Sequence, residues 1–320
     1  MQSQTEFLTL RDHIQSVIVG QADLIDRILI GVLTGGHLLL EGPPGLAKTT
    51  AIKSLASGIH AGFQRIQFTP DLMPSDLTGS DLFDPQTRQF TFAAGPLFHE
   101  IILADEINRA PPKVQSALLE AMEEHQVTVG SQTHALPDLF IVMATQNPLE
   151  QAGTYPLPEA QLDRFLLHVL IDYPSEQEEL EILGRDRRLH FGADTQKVDS
   201  RLQPETVLKA RREVAEIHIE PMLDTYIVKL VNGTRQPQQW VNTWQDYVDF
   251  GASPRATLAL SRAACANAYL QGRDYVIPDD VIALAPEVLR HRLRPSFTAR
   301  AEQVDADVII NKLLEIIPIP

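Results

Sequence analysis

The chain has 320 residues, enough for two domains at about 150 residues each. Its 44% hydrophobic and 22% charged content is that of a globular protein, which excludes disorder, collagen-like repeats and a disulfide framework. With 42 acidic residues against 27 lysines and arginines the net charge is −15, and such a surface repels phosphate backbones and anionic lipid.

In chain order, Leu24, Ile25, Ile28, Leu29, Val32 and Leu33 recur at helical spacing, and Gly35-Gly36 closes that helix. His37-Leu38-Leu39-Leu40 reads as a buried strand, followed by a helix from about Lys48 with Ile52 and Leu55 on one face. Arg65–Phe68 and Ile101–Ala104 read as further strands. Pro111-Pro112 opens a helix carrying Val114, Leu118 and Met122. Leu139–Ala144 and Phe165–Leu170 read as the fourth and fifth strands, and four of the five are largely apolar runs. Continuous rather than alternating runs, separated by helices, predict a parallel sheet covered on both faces. Between Phe68 and Phe98 the Pro- and Gly-punctuated texture, with alternating Gln89–Phe92, predicts an inserted hairpin. A smaller one is expected from Val127 to His134, turning at Gly130-Ser131. Beyond Tyr173-Pro174 the pattern is helical. The expected division is an α/β core at 1–175, a linker helix and hinge at 176–204, and a helical lid at 205–320.

The strongest chemical signal is Gly42-Pro43-Pro44-Gly45-Leu46-Ala47-Lys48-Thr49, set between a strand and a helix. Phosphate binding needs backbone N–H groups at a helix N-terminus, a lysine for the β and γ oxygens and a hydroxyl for Mg²⁺. All are present, although Ala47 replaces the usual glycine. A second strand ends in Asp105-Glu106, where strand carboxyl ends should meet the phosphates. Asp105 is placed to hold Mg²⁺ through water, and Glu106 to orient or deprotonate the attacking water. Asn147 ends the next strand, where it can orient water or touch the γ-phosphate. Arg164, in Pro158–Phe165, can enter a neighbouring subunit's phosphate pocket. Ser253 caps a helix whose first turn holds Arg255, a cation misplaced against the helix dipole and so suited to a phosphate partner. Arg109 is a further candidate phosphate sensor or interface contact. Taken singly, each has a plainer reading: a tight turn with a chance lysine, two solvated carboxylates, a turn-forming Asn, an arginine paired with Asp163 or Glu159.

Together, in this order, they make the chain resemble an AAA+ ATPase, and within that superfamily the MoxR family. The resemblance covers essentially the whole chain. Glu41–Thr49, Thr69–Asp76, Asp105–Ala110, Ala144–Pro148 and Ser253-Pro254-Arg255 carry it. It implies a P-loop NTPase fold, ATP and Mg²⁺ as ligands, and a nucleotide site formed by Gly42, Pro43, Pro44, Gly45, Leu46, Ala47, Lys48, Thr49 and Thr50. Gly20 and Gln21 would lie beside the adenine, and Thr49 and Asp105 at the metal. The catalytic set would be Glu106, Asn147, Arg164 as arginine finger and Arg255 as sensor 2, with either arginine able to act in trans. The two hairpins would be the helix-2 insert and pre-sensor-1 hairpin. The family implies a ring, commonly hexameric, and chaperone-like remodelling of a protein client. That client is often one with a von Willebrand factor A domain, sometimes served through metal-cofactor insertion. ATP is expected in the cleft between core and lid.

Two alternatives stay open: a nucleic-acid motor of the same clade, against which the net charge counts, and an ATP-regulated scaffold with little turnover. Other features have plain readings. Cys265, the single cysteine, can close no intramolecular disulfide and fits a reducing compartment and a packing role. No apolar run approaches the roughly 20 residues of a membrane helix. Met1–Glu6 has no basic, apolar leader pattern, so the expected location is the cytoplasm. Arg290, Arg292 and Arg294 form a basic cluster read as a solvated patch or as a contact to a neighbouring subunit or a nucleotide.

Overall fold

The computed structural model describes residues 2–43, 45–46, 48–148, 153–190, 202–244 and 246–320. Two helices open the chain, α1 (Gln2–Val17) and α2 (Ala22–Thr34). α2 buries Leu24, Ile25, Ile28, Leu29 and Val32, and it stops at Gly35, where φ of +67° lets the amide reach back to the Gly31 and Val32 carbonyls. The core then runs β1 (Leu38–Glu41), α3 (Lys48–Gly58) and β2 (Phe63–Gln67). The short α4 (Pro74–Thr78) leads into an antiparallel hairpin, β3 (Gly79–Asp84) with β4 (Gln89–Ala94). β5 (Ile101–Asp105) and α5 (Pro112–Glu124) follow. A second hairpin pairs β6 (Gln126–Val129) with β7 (Gln132–Ala135), turning at Gly130 with φ of +59°. β8 (Ile141–Gln146), α6 (Glu159–Leu162) and β9 (Leu167–Leu170) complete the core.

The main sheet is five-stranded in the order β2-β5-β8-β1-β9, and every pairing in it is parallel. Alternation explains why its strands read as unbroken apolar runs. Leu38 and Leu40 join the layer formed with α2 and α3, while Leu39 between them joins the layer formed with α5. Both faces of the inner strands are therefore dry, as the sequence predicts, while the edge strand β2 leaves Arg65 and Gln67 exposed. α1 was not among the predicted elements. Its Phe7, Leu10 and Ile14 are fully or almost fully buried at spacings of three and four residues, and they pack into the α2–α3 layer.

After β9 come α7 (Glu176–His190), α8 (Pro204–Ala215) and α9 (Pro221–Arg235). A short ladder joins β10 (Val248–Phe250) to β11 (Arg294–Pro295) around α10 (Pro254–Leu270) and α11 (Pro278–Leu289). α12 (Phe297–Ala301) and α13 (Ala306–Ile316) end the chain. Among the described residues the region is helical as expected, with this small ladder and an isolated bridge between His218 and Tyr275 added. It shares its core with the N-terminal helices, because Ala256, Leu260 and Ala263 of α10 sit in the same apolar cluster as α2. α11 packs on the edge strand β9.

The basic cluster divides into three fates, and the solvated-patch reading fails for its centre. Arg292 is 7% exposed. Its Nε donates to Asp163 Oδ1 at 2.6 Å, and its Nη groups donate to the carbonyls of Leu166 and Phe165. Burial lowers the Arg292 pKa, and the Asp163 carboxylate opposes that shift. Arg290 pairs with Asp307 at 3.0 Å, while Arg294 stays exposed and meets Glu159 at 2.8 Å. The middle residue turns inward because the turn after α11 presents it to the start of β9, whose carbonyls need donors. Asp163→Ala removes the counter-charge of a buried guanidinium. Chemical denaturation should then show a loss of about 3–5 kcal/mol.

Candidate nucleotide site

β1 delivers Gly42 to the carboxyl end of the sheet, and α3 starts at Lys48. Gly42 is required by packing, since a Cβ there would lie 2.4 Å from the Ile171 carbonyl oxygen. Gly45 has φ of +87°, and no atom lies within 4 Å of where a Cβ would project. The loop is thus held on one side and open on the other. Pro44 and Ala47 lie outside the described residues. Pro43 is half-buried beside Gly42. Lys48 Nζ donates to the Gly42 carbonyl at 2.6 Å. Burial lowers the pKa of this ammonium, while Asp105 and Glu41 hold it up. Glu41 is itself held below the usual carboxylate range, first by its hydrogen bond with His168 Nε2 at 2.8 Å.

Asp105 and Glu106 sit opposite, at the end of β5. Thr145 of β8 binds both: its Oγ1 donates to Asp105 Oδ1 at 2.6 Å and accepts from the Glu106 amide at 2.9 Å. Glu106 has φ of +57° and ψ of +51°, a left-handed conformation that costs a non-glycine residue of order 1–3 kcal/mol. That strained turn directs its carboxylate into the cavity, where Gln67 Nε2 donates to it at 2.7 Å and Arg109 Nη1 lies 3.2 Å away. A cavity of about 410 Å³ is lined by Gly42, Gly45, Leu46, Lys48, Thr49, Thr50, Arg65, Gln67, Asp105, Glu106, Thr145, Gln146 and Asn147.

A second cavity of about 270 Å³ shares Gly45, Leu46 and Thr50 with the first and extends to Val17–Val19, Gln21, Pro174, Ile182, Arg185 and Asp186. Gly20, with φ of +73°, stands beside the Glu178 side chain. The pair suits a ligand with a charged end and a flat, less polar end. The expected cleft shifts accordingly. The first cavity is lined by core residues alone and the second by core residues together with Ile182, Arg185 and Asp186 of α7, and no described residue of 205–320 lines either. α7 is the element that continues directly from β9, so it lies where the loop and α1 meet.

Arg164 and Arg255 are elsewhere. Arg164 Nη2 lies 2.8 Å from Glu123 Oε2, and Arg255 Nη2 lies 2.5 Å from Glu123 Oε1. The plain reading of an isolated Arg164 pairs it with Asp163 or Glu159, and the structure pairs it with Glu123 instead. Asp163 is taken by Arg292 and by Ser253 Oγ at 2.9 Å, and Glu159 by Arg294. Ser253 does cap α10, accepting from the Arg255 amide. The two arginines line a cavity of about 300 Å³ with Gly35, Gly36 and His37, which precede β1. They are therefore at the amino ends of parallel strands whose carboxyl ends carry the cavity lined by Lys48 and Asp105. Four residues of strand put about 13 Å of sheet between those ends.

The family model for the ATPase family associated with various cellular activities (AAA) matches residues 37–167, and that for the AAA lid domain matches 244–313. Chaperone MoxR1 of Mycobacterium tuberculosis is 44% identical over 96% of this chain and 81% of its own length. Protein MoxR of Methylorubrum extorquens is 31% identical over 96% of this chain and 93% of its own. The chain belongs to the MoxR family of AAA+ ATPases. The crystal structure of a proposed ATPase from Cytophaga hutchinsonii superposes on this MoxR-family fold with a TM-score of 0.91 at 43% identity, covering 99% of this chain and 96% of the other.

Four residues of this MoxR-family site carried no assigned role in the sequence reading. Arg65 and Gln67 reach the Asp105-Glu106 pair because the parallel register sets Gln67 beside Asp105. Thr145 was visible only as part of its motif. Glu123 gave no signal, being one of two consecutive glutamates at the end of α5.

Proposed function

We propose that this MoxR-family chain hydrolyses Mg-ATP in a ring, hexameric as its family resemblance implies, and uses the cycle to remodel a protein client in the cytoplasm. The observation that carries the reading is the division of parts. One cavity gathers Lys48, Thr49, Asp105 and Glu106, while the two arginines suited to transition-state charge stand at the far end of the same sheet. A neighbouring copy could supply them.

The residues fit the ligands. A lysine and a hydroxyl at a helix N-terminus face two carboxylates across an open loop, the donor set of a hard cation shared with phosphate oxygens. When bound, Mg²⁺ held near Thr49 and Asp105 would neutralise charge on the β- and γ-phosphates. Lys48 exchanges the Gly42 carbonyl for phosphate oxygens. Glu106 accepts the proton of the water that attacks in line, and Asn147 orients that water. Arg164, with Arg255, offsets the charge growing on the γ-phosphoryl group of the adjacent copy.

Client contact is assigned to the two hairpins. Leu82, Phe83 and Phe90 are exposed on the first, with the Phe83 and Phe90 rings 5.2 Å apart. Phe92 stacks on His134 of the second, 3.9 Å between centroids, so the hairpins lean on each other. Exposed apolar side chains beside Asp81 and Asp84, with Arg88 between the strands, suit a protein surface and not a phosphate backbone. A von Willebrand factor A domain and metal-cofactor insertion are the family's suggestions for client and outcome. Lys48→Ala should weaken ATP binding itself, by tenfold or more as a lost charge-assisted contact of about 1.5–3 kcal/mol requires. Equilibrium binding of a fluorescent ATP analogue reads this, and unchanged affinity would remove the phosphate role of the loop.

A further inference from the structure

Both carboxylates at the end of β5 are already engaged by residues of β2. Arg65 Nε and Nη2 both donate to Asp105 Oδ2, at 3.0 and 2.5 Å, and Nη2 also reaches Gln67 Oε1 at 2.8 Å. Asp105 Oδ1 accepts from Thr145, so neither Asp105 oxygen is without a donor. The arrangement is set by the backbone. β2 is the edge of the sheet, and its register puts Gln67 beside Asp105 with Arg65 two residues back on the same side. The Arg65 side chain is half exposed and lines the cavity that holds Lys48 and Thr49.

We propose that Arg65 is the resident counter-cation of the metal carboxylate: it occupies Asp105 in the absence of metal and gives it up when the metal arrives with nucleotide. The inference rests on the reading of Asp105 as a residue that holds Mg²⁺ through water. Asp105 Oδ2 cannot accept two guanidinium N–H groups and also serve a hydrated divalent cation, and the two cations repel at that separation. Arg65 therefore competes with metal. Without metal it plays the opposite part, because a positive charge on the cavity wall favours phosphate. Removing it should move metal-free and metal-dependent binding in opposite directions, which loss of fold would not do.

The test titrates Mg²⁺ against binding of a fluorescent ADP analogue to the full chain, with EDTA as the metal-free arm. For Arg65→Gln the Mg²⁺ midpoint should fall about 2- to 5-fold, the scale of a half-exposed ion pair, while affinity in EDTA weakens. Arg65→Lys keeps the charge without the fork, so its EDTA affinity should stay near the parent's while its midpoint falls. A midpoint that is unchanged or higher in Arg65→Lys overturns the proposal, and that variant decides alone if Arg65→Gln does not fold. Asp105→Asn separates the two levels of the argument. If it leaves the parent's Mg²⁺ midpoint unmoved, the assignment of Asp105 falls and the role of Arg65 falls with it. If it raises the midpoint while the Arg65 variants do nothing, only the competition is wrong.

Discussion

Glu106→Gln should bind ATP as the parent does and hydrolyse it at least about 100-fold more slowly, the scale of a lost general base. The substitution keeps size and hydrogen-bonding capacity, so the contact with Gln67 and the anchoring of the backbone by Thr145 can both survive. The left-handed turn is equally strained for Gln and Glu, which removes backbone strain as a competing cause. What disappears is the ability to accept a proton from water. Phosphate release and equilibrium nucleotide binding, measured on one preparation, separate the two effects. Turnover at the parent rate would mean that another residue activates water.

Arg164→Ala carries the larger effect. Nucleotide binding should persist, because Arg164 lies at the amino end of the sheet and lines no part of the two nucleotide cavities. Turnover should fall by about 10³, as when a finger arginine is removed from phosphoryl transfer. Stability offers no alternative explanation. Arg164 and Glu123 are each about one-third exposed, and Glu123 keeps Arg255, so the lost pair is worth less than about 1 kcal/mol. A denaturation midpoint near that of the parent, together with the rate loss, distinguishes a catalytic contact from a structural one.

Much of this was legible in the sequence because the signals are local. Leu38-Leu39-Leu40 is a dry strand in any register once both faces are covered, and glycine at 42 and lysine at 48 are read off spacing alone. Asp105-Glu106 and Asn147 follow because parallel strands end together. The rest depends on long-range register. Nothing local says that Arg65 will lie across Asp105, since that needs β2 to pair with β5. Of three arginines in five residues, only the fold tells that Arg292 turns into the protein while Arg294 stays outside. Glu123 acquires meaning only when α5, the start of β9 and α10 converge to bring Arg164 and Arg255 onto one carboxylate. α1 failed for another reason: its three apolar anchors are spaced correctly but diluted by polar neighbours, so its face is narrow.

The claim that the site is completed by a second copy is tested most directly by mixing two inactive proteins, Arg164→Ala and Glu106→Gln, with exchange followed by labelled subunits. An interface that takes Glu106 from the Arg164→Ala subunit and Arg164 from the Glu106→Gln subunit is whole. Mixed assemblies should therefore regain measurable ATP hydrolysis that neither parent mixture partner shows alone, rising to a maximum near equal proportions. Confirmed exchange with no recovery at any ratio, while the unsubstituted protein still hydrolyses ATP when diluted to a monomer, would contradict the shared site.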